Sequence, residues 1–438
     1  MTERINLPVV PVPVGGKPLP RERFFDLPPA DRLDSQSAVQ AIYMHVPFCT
    51  TKCHYCDFYS LAGHLEQIPR FLAAINCEMQ LQTTHFGTPE PETIFIGGGT
   101  PTLLPPEDLA ALLTNLRKSV KINRVKEFTT EANPNTFDQV RAEILAEAGV
   151  NRVSFGAQSF HLNELKTLQR DHDPECVPLA ISFARKAGIS NINIDLIFGI
   201  PGQTLASLRQ SLHRAIELHP AHISCYSLVY EPNTPMTARL KSGQIAPMDE
   251  NLELEMFDMV RDTLAAAGLN RYEVSNFARS GFECQHNLNY WRGQNYLAWG
   301  PAAAGHHSGY RWKNVPSLMR YATALLDYPS RLPITQMERL VGAARWGERA
   351  MLALRLTEGL NLAAFGQTTG LDAVEILAGV LKKYEGLGLL EVTDSRLRLT
   401  ARAVAVSDTI MGDVLAAFEG YVNRGSQAFD QKKLGINR

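Results

Sequence analysis

Three thiols stand within eight residues in HVPFCTTKCHYCDFYS (45–60): Cys49, Cys53 and Cys56, spaced C-x3-C-x2-C. Carried on one tight loop, they can converge on a single metal centre, and soft thiolates select zinc or iron–sulfur over hard cations. Zinc would want a fourth ligand, which His45 or His54 could supply. A [4Fe–4S] cube normally takes four cysteines, so three leave one iron open for a ligand to bind and react. Three unrelated core cysteines are the bland reading, and buried cysteines are usually scattered rather than crowded. A second group of polar residues follows further along. Gly97–Gly98–Gly99–Thr100–Pro101 exposes backbone N–H and C=O groups that a ligand can approach closely. Glu131 in TTEANP could accept hydrogen bonds from a ribose diol, and Gln158, Arg170 and Asp195 add further donors and acceptors.

These residues need a frame that brings them to one place. β-rich runs AIYMHV (41–46), ETIFIG (92–97), EFTTEA (127–132), RVSFGA (152–157), NINIDLIFG (191–199) and HISCYSLV (222–229) alternate with amphipathic stretches such as PEDLAALLTNLRKSV (106–120). Strand and helix in alternation predict a parallel sheet with right-handed crossovers. The polar residues fall at successive strand ends, and no single Gly-rich nucleotide fingerprint is present. That pattern favours an α/β open or partial barrel with its chemistry at the strand C-terminal ends, over a doubly wound sheet.

The rest of the chain divides by texture. Residues 1–40 read as a flexible arm, since Pro8, Pro11, Pro13, Pro18, Pro20, Pro28 and Pro29 exclude helix interiors. Residues 41–275 carry the barrel and 276–335 a connecting region dense in His, Asn, Tyr, Trp and Gly. Residues 336–425 read as helices followed by a two-stranded wing, LLEVTDSRLRLT, and 426–438 as a tail. The winged-helix-like segment lacks a basic recognition helix, so a structural or lid role is expected of it rather than nucleic-acid binding.

Charge and cysteine usage narrow the classes further. Among 438 residues, 43 basic side chains face 45 acidic ones, for a net charge of −2. That balance argues against a nucleic-acid footprint and a polybasic membrane patch. No run of eighteen apolar residues exists, so no transmembrane helix is expected. An odd count of seven cysteines and the lack of an apolar h-region in MTERINLPVVPVPVGG point to a reducing cytoplasm.

The cysteine loop, with an aromatic before its last thiol, resembles the radical S-adenosylmethionine (SAM) superfamily. The resemblance implies a partial (β/α)6 barrel followed by a small helical, winged-helix-like C-terminal domain. It also implies a [4Fe–4S] cluster on Cys49, Cys53 and Cys56, whose open iron chelates SAM and whose electron splits the sulfonium to a 5′-deoxyadenosyl radical. Gly98, Gly99 and Thr100 look like the superfamily's GGE-type motif. From about 41 to 420 the chain is similar to oxygen-independent coproporphyrinogen III oxidases and their relatives. That likeness implies SAM contacts from Tyr43, Tyr55, Glu131, Gln158, Arg170, Asp195 and Val229.

Two features separate the branches of that family. The oxidases, which decarboxylate porphyrinogen propionates, carry a fourth cysteine two residues after the third; here that position is Phe58. His286–Asn287–Leu288–Asn289–Tyr290–Trp291 resembles the HNxxYW motif of HemW-type haem chaperones. This implies haem contacts from His286, Asn287, Tyr290 and Trp291, with a neutral imidazole as natural axial ligand. The implied function is haem binding and transfer to acceptor proteins, with an electron donor such as flavodoxin or ferredoxin and a homodimer as further partners. The alternative is the oxidase reaction. A radical methyltransferase would call for extra grouped cysteines, and none occur. Cys284, His306 and His307 are lesser haem candidates, and Cys77, Cys176 and Cys225 read as core.

Overall fold

The computed structural model describes residues 24–28, 38–327 and 331–433, the last twelve by backbone alone. Six parallel strands form the centre: β1 (Ala41–Val46), β2 (Thr93–Gly98), β3 (Glu127–Ala132), β4 (Arg152–Gln158), β5 (Asn191–Phe198) and β6 (His222–Ser227). The helices between them are α1 (Ile68–Phe86), α2 (Pro106–Ser119), α3 (Gln139–Glu147), α4 (Leu162–Leu168), α5 (Cys176–Lys186) and α6 (Leu205–Glu217). Two strands, 41–46 and 127–132, have the bounds expected from sequence, and the other four differ by one or two residues, as strand ends do. The partial (β/α)6 barrel is the one its periodicity predicts.

Alternation along each strand sorts the side chains. Ile42, Met44 and Val46 of β1 and Ile94 and Ile96 of β2 are fully buried and join one apolar core with Phe71, Ile75 and Met79 of α1. The opposite face is polar: Tyr43 and His45, then Glu127, Thr129 and Glu131, then Arg152 and Ser154, with Asn193 and Asp195 beyond. A period of two puts these on the lumen side. Helix starts are fixed locally: Asp138 accepts from Arg141 N–H, and Thr204 with Ser207 closes a capping box at α6.

The sheet runs on past both ends of the barrel. After α7 (Pro235–Lys241) and α8 (Glu250–Ala266), β7 (Asn270–Glu273) and β8 (Asn276–Ala278) add an antiparallel pair beside β6. Helix α9 (Gln285–Trp291) follows, and then β9 (Tyr296–Trp299) returns to pair with β1, parallel, Ala41 opposite Tyr296. Beyond it lie β10 (Ala304–His307), β11 (Tyr310–Asn314), α10 (Leu318–Asp327) and β12 (Ile334–Arg339), giving twelve strands in the order β12-β11-β10-β9-β1-β2-β3-β4-β5-β6-β8-β7. The region at 276–335 that reads in sequence as a connector is thus largely sheet. Its strands are only three to five residues long, too short for periodicity to reveal.

Phe25 N–H donates to Ile334 O at 2.9 Å, so 24–28 lies along the outer edge strand as an antiparallel bridge. Residues 38–40 lead into β1, Gln40 N–H donating to Asn295 O at 2.9 Å, and the rest of the proline-rich arm falls outside the described residues. The C-terminal unit is built from α11 (Gly342–Leu354), β13 (Leu360–Asn361), α12 (Leu362–Thr369), α13 (Ala373–Ile376), α14 (Ala378–Glu385), β14 (Leu390–Val392), β15 (Arg396–Leu399) and α15 (Ser407–Lys433). It has a separate apolar core around Leu354, Phe365, Leu377, Leu397, Val414 and Phe418, and β13, β15 and β14 form its wing. Helix α15 runs to Lys433, through most of the segment read in sequence as a tail.

Candidate functional site

The cysteine loop bridges the mouth of the barrel and is pinned on both sides. On the near side, Thr100 N–H donates to Phe48 O at 2.6 Å and Gly99 N–H to Val46 O at 2.8 Å. On the far side, His54 N–H donates to Leu168 O at 3.1 Å and Met236 N–H to His54 O at 2.9 Å. Tyr55 packs there against Leu168, Ile197, Leu228 and Met236. Thr100 Oγ1 lies 3.8 Å from Cys49 Sγ as donor, and Arg170 Nη1 donates to Cys53 Sγ at 3.6 Å. Burial pushes the Cys56 thiol up to about 11, partly opposed by Lys52 and reinforced by the other two cysteines. Burial likewise raises Cys49. Cys49 and Cys56, both costly to ionise, suit a site where a cation makes them thiolates.

The zinc reading loses His45 as a fourth ligand. His45 Nε2 bonds Tyr59 O at 2.8 Å and its Nδ1 bonds Tyr43 OH at 3.0 Å, so both ring nitrogens are engaged. His54 Nδ1 faces Arg239 Nη1 at 3.3 Å. Among the described residues no three His, Cys, Asp or Glu side chains converge on a point as ligands of one ion do. A four-iron cube offers each thiolate its own iron instead.

The rim beside the loop gathers nearly all the polar residues that the sequence marks for SAM. Glu131 is half-buried; its carboxylate's one hydrogen bond among the described residues comes from Gly98 N–H at 3.0 Å. Burial, with Asp195 adding repulsion, pushes its carboxyl up to about 7. Asp195 accepts from Asn193 Nδ2 at 2.7 Å and Ser154 Oγ at 3.1 Å, and burial raises it too. Gln158 sits at a bulge in β4 with φ +64°, a left-handed conformation that turns its side chain to Tyr226 OH, which donates to it at 3.2 Å. Arg170 donates to Gly156 O at 2.5 Å, and its Nε, like Asn133 Oδ1, is buried without a partner. Under-satisfied buried donors and acceptors around one opening fit a polar ligand such as SAM. Val229 is 46% exposed in the loop after β6, at the margin of this group.

The glycine run also has a packing reason within the protein itself. A Cβ on Gly97 would sit 2.6 Å from Glu131 Oε2, one on Gly98 2.3 Å from the His45 ring, and one on Gly99 2.6 Å from Phe48 O. These residues are glycine because β2 must lie flush against the cysteine loop and Glu131. The close approach is to the protein's own atoms.

The 286–291 motif lies at the other end of the barrel. His286 Nδ1 bonds Thr93 Oγ1 at 2.9 Å and Nε2 bonds Tyr290 OH at 2.9 Å, with the side chain buried. Thr93 opens β2 while Gly98 ends it, so floor and mouth stand about 17 Å apart at 3.3–3.4 Å per residue. Glu127, which the sequence reading missed, accepts from Gln285 N–H at 2.8 Å and His286 N–H at 3.1 Å and takes the Cys284 thiol at 3.3 Å. It shares its strand face with Glu131, four residues on, which is the signal that could have found it. Tyr290 packs edge-on against Tyr296. Asn287 is half-buried at the helix start, and Trp291 is half-buried under the Arg355 guanidinium, 4.3 Å from its ring centre. His306 and His307 lie on β10, with His306 Nδ1 bonded to Gln294 O. Cys225 is buried in the core.

The buried histidines set an acid limit on stability. Burial, with the Arg152 charge nearby, pushes His286 down to about 3 and His222 well below its ordinary value; burial also brings His45, His172 and His306 to about 4. Unfolded imidazoles take up a proton near pH 6.5 that these folded ones refuse, so stability falls as pH drops from about 6.5 towards 4, by roughly 3 kcal/mol for His286 alone. Glu78 and Glu131, raised by burial to about 7, bind protons in the folded state first and act in the opposite sense between about pH 7 and 4.5. Five groups outweigh two. The urea midpoint should hold between pH 7.5 and 6.5 and fall steeply below 6; a midpoint constant down to pH 4.5 contradicts the buried, neutral histidines.

Three thiols on a loop closing one end of an open (β/α)6 barrel are the mark of the radical SAM superfamily, and residues 43–215 match that superfamily while 342–406 match the HemN C-terminal domain. Within it, the chain belongs to the HemW family. It is 34% identical over 378 residues to the heme chaperone HemW of Bacillus subtilis (strain 168), spanning 86% of this chain and 99% of that one. The heme chaperone HemW of Mycobacterium tuberculosis (strain ATCC 25618 / H37Rv) is 37% identical over 378 residues, 85% of this chain and 94% of the relative. The solved structure of coproporphyrinogen III oxidase (HemN) from Escherichia coli, a radical SAM enzyme, shares the fold with a TM-score of 0.78 at 21% identity, over 90% of this chain and 93% of that one.

Proposed function

We propose that this chain is a haem chaperone: it binds haem and passes it to acceptor proteins, on a scaffold that holds a [4Fe–4S] cluster and SAM. The observation that carries this reading is the end-to-end likeness to HemW heme chaperones, which reaches 99% of the Bacillus subtilis relative. Cys49, Cys53 and Cys56 would hold the cluster; Glu131, Gln158, Arg170 and Asp195, with Tyr43, Tyr55, Gly98, Gly99, Thr100 and Val229, would border SAM. A reduced cluster supplies one electron for cleaving the SAM sulfonium. Haem is taken at the far end, in the 286–291 region, so cargo and cofactor act from opposite ends of one barrel. Seven free cysteines suit a reducing cytoplasm, and a flavodoxin- or ferredoxin-type donor would reach the cluster from the mouth. Homodimerisation belongs to the same reading.

The second reading, decarboxylation of coproporphyrinogen, draws on the polar SAM rim and the oxidase-like fold. Phe58 stands against it. Anaerobically reconstituted protein titrated with haemin should give a saturable Soret shift at one equivalent, and a separable apo-haem protein added afterwards should acquire the haem. No shift, together with conversion of coproporphyrinogen to protoporphyrinogen, would overturn the chaperone reading in favour of the enzyme.

A further inference from the structure

Between the end of α9 and the C-terminal unit lies a cleft of about 290 Å³. Its walls are Trp291 on the barrel side and Leu356, Leu360 and Phe365 opposite. Three guanidinium groups border it, from Arg292, Arg349 and Arg396, against one carboxylate, Glu358. Glu358 lies between two of them at long range, 3.4 Å from Arg292 Nη2 and 3.5 Å from Arg396 Nη1. Arg349 makes no ion pair among the described residues. The turn that carries Glu358 is fixed by Gly359, at φ +66°, where a Cβ would lie 2.2 Å from Leu397 O. The two sides are tied together: Thr357 N–H donates to Tyr272 O at 3.0 Å, and Arg355, over the Trp291 ring, reaches Glu273 at 3.5 Å.

An apolar slot with two uncompensated positive charges at its edge matches a flat apolar ring bearing two carboxylates. We propose that this cleft is where haem docks, its macrocycle against Trp291, Leu356 and Phe365, its propionates on Arg349 and Arg396 with Glu358 displaced. The proposal rests on the haem-chaperone reading and gives it a place and a mode. None of the residues lining the cleft is His, Cys, Met or Tyr. Iron therefore takes no side-chain ligand there, and His286, sealed between Thr93 and Tyr290, positions α9 instead. The volume is at the low end for ligand sites, about 300–1,000 Å³, so part of the macrocycle stays in solvent. Haem held by its face and its propionates, with its iron uncoordinated and one edge open, is haem that an acceptor with an axial ligand can take.

The test uses the full-length, reconstituted protein and two probes, haemin and iron-free protoporphyrin IX, titrated by fluorescence quenching and absorbance. Wild type should bind both with similar affinity. The double variant Arg349→Glu/Arg396→Glu should weaken both by about tenfold or more, as reversal of charges at a complementary interface does. Glu358→Gln, which removes the internal competitor from an exposed ion pair, should tighten both by up to about fivefold. That gain cannot come from a misfolded protein. The cleft is overturned if the double variant, with an unchanged unfolding midpoint, binds haemin as wild type does, or if only the iron-bearing probe binds and His286→Ala abolishes it; the chaperone reading survives either result. If wild type binds neither probe, that reading itself has failed, and the proposal with it.

Discussion

Cys53→Ser protein, reconstituted without oxygen, should show none of the visible charge-transfer absorbance of an iron–sulfur cluster and retain no stoichiometric iron. A serine oxygen is a harder, far less acidic ligand than a thiolate, and soft iron–sulfur centres discriminate against it. The central position of Cys53 in the loop magnifies the loss. Its sulfur accepts from Arg170 Nη1 and its carbonyl from Cys56 N–H at 3.3 Å, so it anchors both the ring of polar groups and the turn that presents Cys56. Two controls bracket the claim. Phe58→Cys should leave the spectrum unchanged, because the side chain at 58 is 60% exposed to solvent. Cys284→Ser should also keep its cluster, since that thiol is buried on Glu127 at the barrel floor. Retention of full absorbance by the Cys53 variant would remove the loop from the metal site.

The cysteine loop and the ring of strand-end residues were legible because both follow from local rules. Ligand spacing along a loop is a one-dimensional signal, and strand alternation with crossover helices places strand ends together at one face. What sequence could not convey were contacts made across the lumen. The glycines at 97–99 look like an open cradle in one dimension, yet Glu131, His45 and the Phe48 carbonyl occupy the space their side chains would need. His286 looks like a free imidazole for the same reason. Only the register of β2 and the docking of α9 show that Thr93 and Tyr290 hold both its nitrogens. The strands after α9 escaped notice because three to five residues carry too little periodicity, and β9 pairs with β1 across more than 250 positions of sequence.

Glu127→Ala should cost about 3 kcal/mol or more of unfolding free energy, the sum of two charge-assisted hydrogen bonds worth about 1.5–3 kcal/mol each. The carboxylate accepts from Gln285 and His286 N–H, two of the amides that a helix leaves unpaired at its start, and it is buried. Removing it strands those donors and the nearby Arg152 guanidinium, whose Nε already lacks a partner, in the closed floor of the barrel. Urea unfolding measures the loss, and hydrogen exchange should localise it, with the amides of 285–291 exchanging faster than those of β1 or β3. Glu127→Gln keeps one acceptor oxygen and should lose less. A change below about 1 kcal/mol in the alanine variant would mean that α9 is held by its packing on Phe95 and Tyr296 alone. Because Trp291 ends the same helix, the alanine variant should weaken haem binding while the cluster, about 17 Å away at the mouth, keeps its spectrum. Loss of the cluster as well would show that floor and mouth do not fold independently.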